Sequence, residues 1–210
     1  MIKKLSERSV KRLVLMKKNK KEAILNAAIK LFSAKGFKET HMSEISKMTG
    51  AAEGTIVYHF KNKENLFLTI LTEFQENIVA EFARYNKEKK LKTGLAMVED
   101  IISFYLQLAN SMEDRFLLLH RHEAYVRAHA SAAFRTHLEA IYTCFVDMFE
   151  RAINLGKKDG SIGVVPARKT AIIIFGMVDA VLRFNTYGLY NAGTLFNELN
   201  LASRRILTAG

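Results

Sequence analysis

Hydrophobic residues recur at the spacing of an α-helix along almost the whole chain, and no segment alternates for long as a half-buried strand does. Glycine and proline divide this pattern. Gly36 follows the first stripe as a helix stop, the loop 156–160 breaks the chain, and Pro166 suits a first helical turn. The pattern therefore predicts an all-α fold, with three short helices before five or six longer ones. The predicted helices cover about 20–35, 42–49, 52–60, Lys63 to the basic stretch 87–92, 93–110, 112–129, 132–155, 167–187 and 194–208.

Composition limits the class of protein. A chain of 210 residues that is 49% hydrophobic can bury a real core in one or two domains, and one proline with eleven glycines excludes fibrous and disordered classes. The single cysteine, Cys144, excludes an intramolecular disulfide and reads as a small buried hydrophobe in a reducing compartment. The most apolar run, 171–182, carries Asp179 and is too short to span a bilayer. These features, with no secretion signal at the N-terminus, predict a cytoplasmic protein without a membrane span.

The positive charge is concentrated at the N-terminus. The chain carries +11 overall, and residues 1–21 hold nine bases against one acid, a net of +8. Such an arm attracts a polyanion, because bases that meet phosphates release condensed counterions. Three interpretations stay open for the arm by itself: nucleic acid, an anionic membrane surface, or a solvated tail that aids solubility.

The segment 42–59 has the spacing of a helix-turn-helix. Ile45 and Ile56 supply the apolar contacts that pack two short helices onto the first helix and its Phe32. Ser46 is small where the helices cross, and Gly50 can take the left-handed conformation that the tight turn needs. The second helix of such a pair presents its N-terminal residues to the major groove of DNA.

Around this pair, residues 21–67 resemble the TetR family of bacterial transcriptional repressors in both order and spacing. The resemblance implies a basic arm (1–20), a helix-turn-helix DNA-binding domain (21–66), and a helical domain for ligand binding and dimerisation (67–210), joined by a long helix. The matching residues are Leu31, Phe32, Gly36, Phe37, Thr40, Ile45, Gly50, Gly54, Thr55, Ile56, Tyr58, His59, Phe60 and the run 61–66.

The resemblance also implies roles for single residues. Thr40 and His41 would touch phosphate at the start of the second helix, and Lys63 would do so at the start of the long helix. Thr55 and Val57 would reach base edges or a thymine methyl group. The remaining DNA-facing positions are Ala52, Glu53, Gly54, Tyr58 and His59: Gly54 would let the backbone approach DNA, and Tyr58 and His59 would meet phosphates.

Some of these positions depart from the family or allow a second interpretation. Ala52 replaces a serine that is frequent in the family, which removes a helix cap and a phosphate contact. Glu53 either reads cytosine N4 or lies on a solvated helix face, because phosphate repels a carboxylate. His59 either contacts phosphate or packs against its neighbours. The arm either follows the DNA backbone or enters the minor groove.

Polar residues inside the apolar stretches of 67–210 are the candidates for an effector pocket. Asp179 and Arg183 would orient a small molecule, or form an ion pair on a helix surface. Aromatic residues at helical spacing belong either to the core or to the pocket wall. The remaining candidates for the pocket are Phe104, Tyr105, His122, Tyr125, Phe145 and Asp147.

The sequence predicts neither a metal site nor a cofactor. His120 and Glu123 could share a helix face, but His122 points elsewhere, and the spacing matches no zinc motif.

The nearly all-apolar helix 171–182 requires burial on several sides, either inside the monomer or against a partner subunit. By resemblance it belongs to the four-helix bundle of a homodimer, with Ile172, Phe175, Gly176 and Val181 near the interface.

These features predict a ligand-responsive transcriptional regulator. It would bind a near-palindromic double-stranded DNA operator as a homodimer, act as a repressor, and be released by a small, largely apolar effector. An enzyme is not expected, because the chain has no nucleophile elbow and no phosphate-binding loop. The alternative is a non-enzymatic helical adaptor that uses its basic arm on a membrane surface or a partner, which leaves the spacing in 40–66 unexplained.

Overall fold

The computed structural model describes residues 7–87, 89 and 93–208, and the side chains of those from Asn19 onward. Ten α-helices and one short 3₁₀ helix make up this part of the chain, in which no strand occurs, so the predicted all-α class is confirmed. The helices are α1 (Glu7–Lys35), α2 (Met42–Thr49), α3 (Glu53–Phe60), α4 (Lys63–Asn86), α5 (Gly94–Ser111), α6 (Glu113–His120), α7 (His122–Ala130), α8 (Ala132–Asp159), α9 (Ala167–Thr186), the 3₁₀ turn (Ala192–Leu195) and α10 (Phe196–Thr208).

The first three helices form the predicted helix-turn-helix. Ile45 and Ile56 are fully buried, as is Phe32 of α1, so α2 and α3 pack on the first helix. Gly50 ends α2 with φ +67°, the left-handed conformation that favours glycine. The Ser46 hydroxyl donates to the Ala51 carbonyl oxygen at 2.7 Å, which holds the turn between the two helices.

An aromatic cluster joins this unit to the rest of the molecule. The Phe67 ring of α4 lies 5.3 Å from both Phe32 of α1 and Phe134 of α8, centroid to centroid. Phe37, in the turn after α1, packs against the same three rings. The hydrophobic core is therefore continuous across residues 66 and 67, where the domain boundary was placed, and the division into domains stays a prediction.

The larger part is a helical bundle with α8 at its centre, in contact with α4, α5, α7 and α9. The start of α5 approaches the end of α8 at two glycines. A Cβ atom on Gly94 would lie 2.0 Å from the backbone nitrogen of Gly156, so only glycine allows this crossing. Among the described residues no helix combines the length and the apolarity that a membrane span needs.

Four predicted boundaries differ from the structure. The helix expected over 112–129 is two helices, because Arg121 is extended (φ −63°, ψ 136°) between α6 and α7. The segment 156–160, predicted to be a loop, continues α8 as far as Asp159, and Gly160 caps that helix. Pro166 caps α9 instead of starting it. The first helix begins at Glu7, so residues 7–20 of the arm continue α1, while residues 1–6 lie outside the described chain.

Candidate nucleic-acid interface and buried polar cluster

Helix α3 buries one side and exposes the other. Ile56 and Phe60 are buried, whereas Val57 is 49% exposed and Tyr58 is 72% exposed. Nothing lies within 4 Å of the Cβ position of Gly54, so the backbone there is open to a close approach. Glu53, Gly54, Val57 and Tyr58 share the exposed side, one to five residues apart on the helix. An outward face of this shape is what a recognition helix presents to a groove.

The remaining predicted DNA-facing residues surround that face. Ala52 is exposed at the N-terminus of α3 and supplies no side-chain cap. Thr55 and His59 are half-buried, and the His59 ring lies 5.2 Å from the ring of Tyr58. His41 is exposed where α2 begins, and its amide donates to Oε2 of Glu44 at 2.8 Å. Direct contact of these residues with DNA stays a prediction.

Two of the side chains predicted to contact phosphate make hydrogen bonds inside the protein. The Thr40 side chain is fully buried, and its hydroxyl donates to the Gly36 carbonyl oxygen at 2.7 Å. The Lys63 ammonium donates to the carbonyl oxygens of Phe37 (2.9 Å) and Thr40 (2.8 Å). Burial and the nearby Arg127 charge lower the pKa of Lys63. Both side chains therefore stabilise the turn between α1 and α2, and their contact with phosphate stays a prediction.

A buried polar cluster, which we define as Asp179 with the side chains that surround it, lies in the middle of the larger bundle. Oδ1 of Asp179 accepts from the Tyr105 hydroxyl at 2.6 Å and lies 3.0 Å from Nε2 of His120. Oδ2 accepts from Arg183 at 3.2 Å, and Arg183 also donates to the Tyr125 hydroxyl at 2.6 Å. Tyr125 in turn is hydrogen-bonded to Tyr142. The cluster joins α5, α6, α7, α8 and α9 through polar contacts.

The charges in this cluster follow from its partners. Burial by itself raises the pKa of Asp179, but hydrogen bonds from His120 and Tyr105 and the Arg183 charge outweigh burial and leave that pKa below its usual value. Burial and the Asp179 charge raise the pKa of Tyr105, which stays a donor. Because an ionised carboxylate only accepts, the hydrogen bond to Asp179 assigns a proton to Nε2 of His120. Nδ1 of His120 is buried without a hydrogen-bond partner among the described residues.

Aromatic rings surround the cluster, and a groove lies beside it. The Tyr105 ring packs edge-on against Phe145, Phe116 and Phe175, at centroid distances of 4.8, 5.3 and 5.6 Å. Phe116 also lines a groove of about 210 Å³ between α5, α6 and α9, to which the polar side chains of the cluster do not contribute. Its floor includes Phe116 and Leu182, and its rim is polar at Asn110, Glu113, Asn185 and Thr186.

The structure brings together five of the eight predicted pocket residues, namely Tyr105, Tyr125, Phe145, Asp179 and Arg183. The other three predicted pocket residues lie apart from this cluster, and their role in binding an effector stays a prediction. His122 is exposed at the start of α7, and Asp147 pairs with Arg168 toward solvent. Phe104 lies on another side of α5, against Phe82 and Tyr85.

Sequence reasoning missed two members of the cluster, His120 and Tyr142, although both had a signal. His120 lies four residues after buried Phe116 on the inward stripe of α6, so the helical spacing points His120, and not His122, into the core. Tyr142 lies four residues after buried Leu138 on α8 in the same way. Among the described residues no group of three potential metal ligands occurs.

The outer side of α9 is apolar and exposed. Ile172 and Ile173 are 51% and 56% exposed, and Gly176 and Phe184 extend the same side along the helix. Of the other two predicted interface residues, one is buried and one is half-buried. Phe175 is buried inside the monomer, stacked on Phe145 at 5.5 Å, and Val181 is half-buried against the core. The residues of α9 that remain available to a partner are therefore Ile172, Ile173, Gly176 and Phe184.

Comparison with solved structures shows a shared fold over about nine-tenths of the chain. FadR of Bacillus subtilis, in a crystal structure with stearoyl-CoA, aligns with a TM-score of 0.75 and 21% identity, over 87% of this chain and 96% of that one. A TetR-family regulator from a Rhodococcus species aligns with a TM-score of 0.76 and 17% identity, over 90% and 98% of the two chains. At these identities the likeness concerns the fold.

Comparison of sequences identifies the N-terminal unit. AcrR of Shigella flexneri is 32% identical over 50% of this chain and 51% of its own length. QacR of Staphylococcus aureus is 47% identical over 25% of this chain and 28% of its own length. The alignments thus span about half the length of these relatives or less. Residues 24–70 match the sequence profile of the bacterial regulatory proteins of the TetR family. The segment 24–70 is therefore an N-terminal domain of the kind found in the TetR family of bacterial regulatory proteins.

Proposed function

We propose that this protein is a ligand-responsive transcriptional regulator of the cytoplasm, not an enzyme, that represses by binding a near-palindromic operator as a homodimer and is released by a small, largely apolar effector. The observation that carries the proposal is the exposed side of α3. Val57 and Tyr58 are exposed there, on a short helix whose opposite side is anchored by Ile56 and Phe60. Large apolar and aromatic groups held outward on an anchored helix suit contact with a groove and its thymine methyl groups.

Fluorescence anisotropy with duplex DNA tests this proposal. A duplex from the upstream region of the gene is compared with a scrambled duplex, at two salt concentrations. We expect tight, sequence-dependent binding that Val57→Ala and Tyr58→Ala each weaken by about 10-fold, which corresponds to about 1.4 kcal/mol at one contact. Val79→Ala is the matched control, because Val79 is 52% exposed on α4, away from α3. Equal binding of both duplexes, unaffected by Val57→Ala, would contradict a sequence-specific regulator.

The proposed homodimer rests on the exposed apolar side of α9. Two recognition helices related by a two-fold axis would read half-sites about 34–36 Å apart, one turn of DNA. Sedimentation should give twice the chain mass of 23.8 kDa at micromolar concentration. Ile172→Glu should dissociate the dimer, whereas Val164→Glu should not, because Val164 is 96% exposed in the loop before α9. A monomer at micromolar concentration would rule out the two-fold arrangement.

The proposed effector site is the groove beside the buried polar cluster. Its volume of about 210 Å³ is below the range of about 300–1,000 Å³ for ligand pockets, so an effector would have to displace a wall. The wall most directly linked to the cluster is Phe116, whose ring lies 6.0 Å from His120. Displacing Phe116 would therefore disturb the contacts of Asp179, which is how a largely apolar ligand would change the bundle.

Stearoyl-CoA is the first probe to use, because the FadR structure with the same fold contains it. We expect it to lower operator affinity, while free coenzyme A has no effect because the acyl chain fills the groove. Leu182→Trp should block the response by occupying the groove, with operator affinity retained. If stearoyl-CoA leaves operator affinity unchanged, this chain does not share that ligand. Vesicle binding without duplex binding would instead favour the adaptor that works through its basic arm.

A further inference from the structure

The α6–α7 junction holds the end of α1 with two oppositely charged side chains, Arg121 and Glu123, which we call the junction clamp. Arg121 donates from Nε to the Ser33 carbonyl oxygen (2.9 Å) and from Nη2 to the Ala34 carbonyl oxygen (2.6 Å). Those oxygens belong to the last turn of α1, where the helix has no partners of its own for its carbonyl groups. A guanidinium at this end also suits the negative end of the helix dipole.

The second half of the clamp is an anion site filled by the protein itself. Glu123 accepts from the backbone amides of Phe37 (2.6 Å) and Lys38 (2.8 Å), one with each carboxylate oxygen. Successive amides after a left-handed residue form a concave site that binds anions. Gly36 supplies that conformation with φ +90°, and a Cβ atom there would lie 2.7 Å from Oε2 of Glu123. The turn that leads into the helix-turn-helix is thus shaped around this carboxylate.

The other side of the same junction is tied to the buried polar cluster. His120, the residue before Arg121, contacts Asp179 through Nε2, and its carbonyl oxygen accepts from the Tyr187 hydroxyl at 3.1 Å. Arg121 is extended where the two helices would otherwise continue as one. The four residues 120–123 therefore contact α9 through His120 and the end of α1 through Arg121 and Glu123. They lie between the proposed effector site and the proposed DNA-binding helices.

We propose that the junction clamp couples the buried polar cluster to the DNA-binding helices, with Arg121 and Glu123 as positioning residues for allosteric release. This inference rests on the proposed function. A ligand that displaces His120 from Asp179 moves the backbone of the junction, and the clamp carries that movement to the turn 36–40 at the start of α2. Disturbing the cluster then changes DNA affinity only while the clamp is intact.

A double-mutant cycle tests the coupling without an identified effector. Asp179→Asn disturbs the cluster, and Glu123→Gln breaks the clamp while keeping its size. The probe is a duplex that the wild-type protein selects from a randomised library. We expect Asp179→Asn to raise the operator Kd by at least about fivefold with the clamp intact, and by less than about twofold in the Glu123→Gln background. Equal factors in the two backgrounds would overturn the proposal.

Hydrogen exchange provides a readout that does not require DNA. With the clamp intact, Asp179→Asn should speed exchange at the amides of Phe37 and Lys38 by at least about tenfold, because their acceptor moves with the junction. Unchanged exchange at both amides would also overturn the coupling. If no duplex is selected, the regulator proposal fails, while the exchange experiment still decides whether the junction transmits movement.

Two further variants keep the test decisive. Glu139→Gln is the control for Glu123→Gln, because Glu139 is an exposed acid on α8 outside the clamp. In the Glu139→Gln background, Asp179→Asn should still raise the operator Kd by at least about fivefold. If circular dichroism shows that Asp179→Asn is unfolded, Tyr125→Phe takes its place. That change removes a partner of Arg183 and leaves the carboxylate in the core.

Discussion

The Tyr105 hydroxyl donates a 2.6 Å hydrogen bond to Oδ1 of Asp179, and both residues are buried. This contact joins α5 to α9 across the larger bundle, at a point surrounded by aromatic rings. A buried carboxylate is tolerated only when hydrogen bonds and an opposite charge compensate its lost hydration, and Asp179 obtains these from Tyr105, His120 and Arg183. The stability of the bundle should therefore depend on each of these donors.

Replacing Tyr105 with Phe should lower the free energy of unfolding by about 1.5–3 kcal/mol, because the buried carboxylate loses a donor while the ring packing is kept. Urea unfolding measures the change. Tyr190→Phe is the matched control, since Tyr190 is 64% exposed, and it should change stability by less than about 0.5 kcal/mol. If Tyr105→Phe is as stable as Tyr190→Phe, the hydrogen bond between Tyr105 and Asp179 makes no net contribution to the free energy of unfolding.

The contribution of Asp179 to stability should disappear in acid. The pKa of Asp179 in the folded protein lies below its ordinary value of 3.8, so the unfolded state takes up the proton first as the pH falls. The stability difference between wild type and Asp179→Asn should be constant from about pH 5 down to about pH 4, and then shrink as the pH falls through the lowered pKa. Urea unfolding across this range measures it, and a difference that grows in acid would reverse the assigned direction.

Two helical glycines should respond oppositely to alanine. Gly94→Ala should destabilise the protein by about 3 kcal/mol, because its Cβ atom would meet the backbone of Gly156, which cannot rotate away. Gly176→Ala should stabilise the monomer by up to about 1 kcal/mol, since the added methyl group meets nothing within 4 Å and alanine favours a helix. Thermal unfolding compares the two variants, and similar losses would contradict the close crossing of α5 and α8.

Removing residues 1–18 should weaken DNA binding uniformly across sequences and flatten its salt dependence. Each phosphate contact that is lost should reduce the slope of log affinity against log salt by about 0.9. A variant with the seven bases of this segment replaced by Gln keeps the chain length and separates charge from helix length. Anisotropy titrations at several salt concentrations measure the slope, and an unchanged slope would show that the arm does not contact phosphate.

Much of the architecture was readable from local patterns. The bounds of α2, α4 and α5 agree within about two residues with those expected, because apolar spacing and a cap such as Thr93 act within a turn or two. The helix-turn-helix could be predicted equally well, because its short-range geometry requires apolar residues at positions 45 and 56 and a residue that tolerates a left-handed turn at Gly50. Tyr105 and Asp179 were candidates for the interior by the same periodicity, which left open whether Tyr105 belongs to the core or to a pocket wall and whether Asp179 forms a surface ion pair.

Contacts between distant segments decided the rest. Arg121 is extended at the break between α6 and α7, and its guanidinium donates to carbonyl groups of α1 that lie 87 and 88 residues earlier in the chain. Thr40 and Lys63 both donate to backbone carbonyl oxygens of the turn 36–40, which the predicted contacts with phosphate did not foresee. Phe175 joins the core and not the outer side of α9. Most helix positions and the helix-turn-helix unit could be predicted, because they depend on residues close together in the chain. Which polar side chains meet depends on residues far apart in the chain, and periodicity carries no information about those partners.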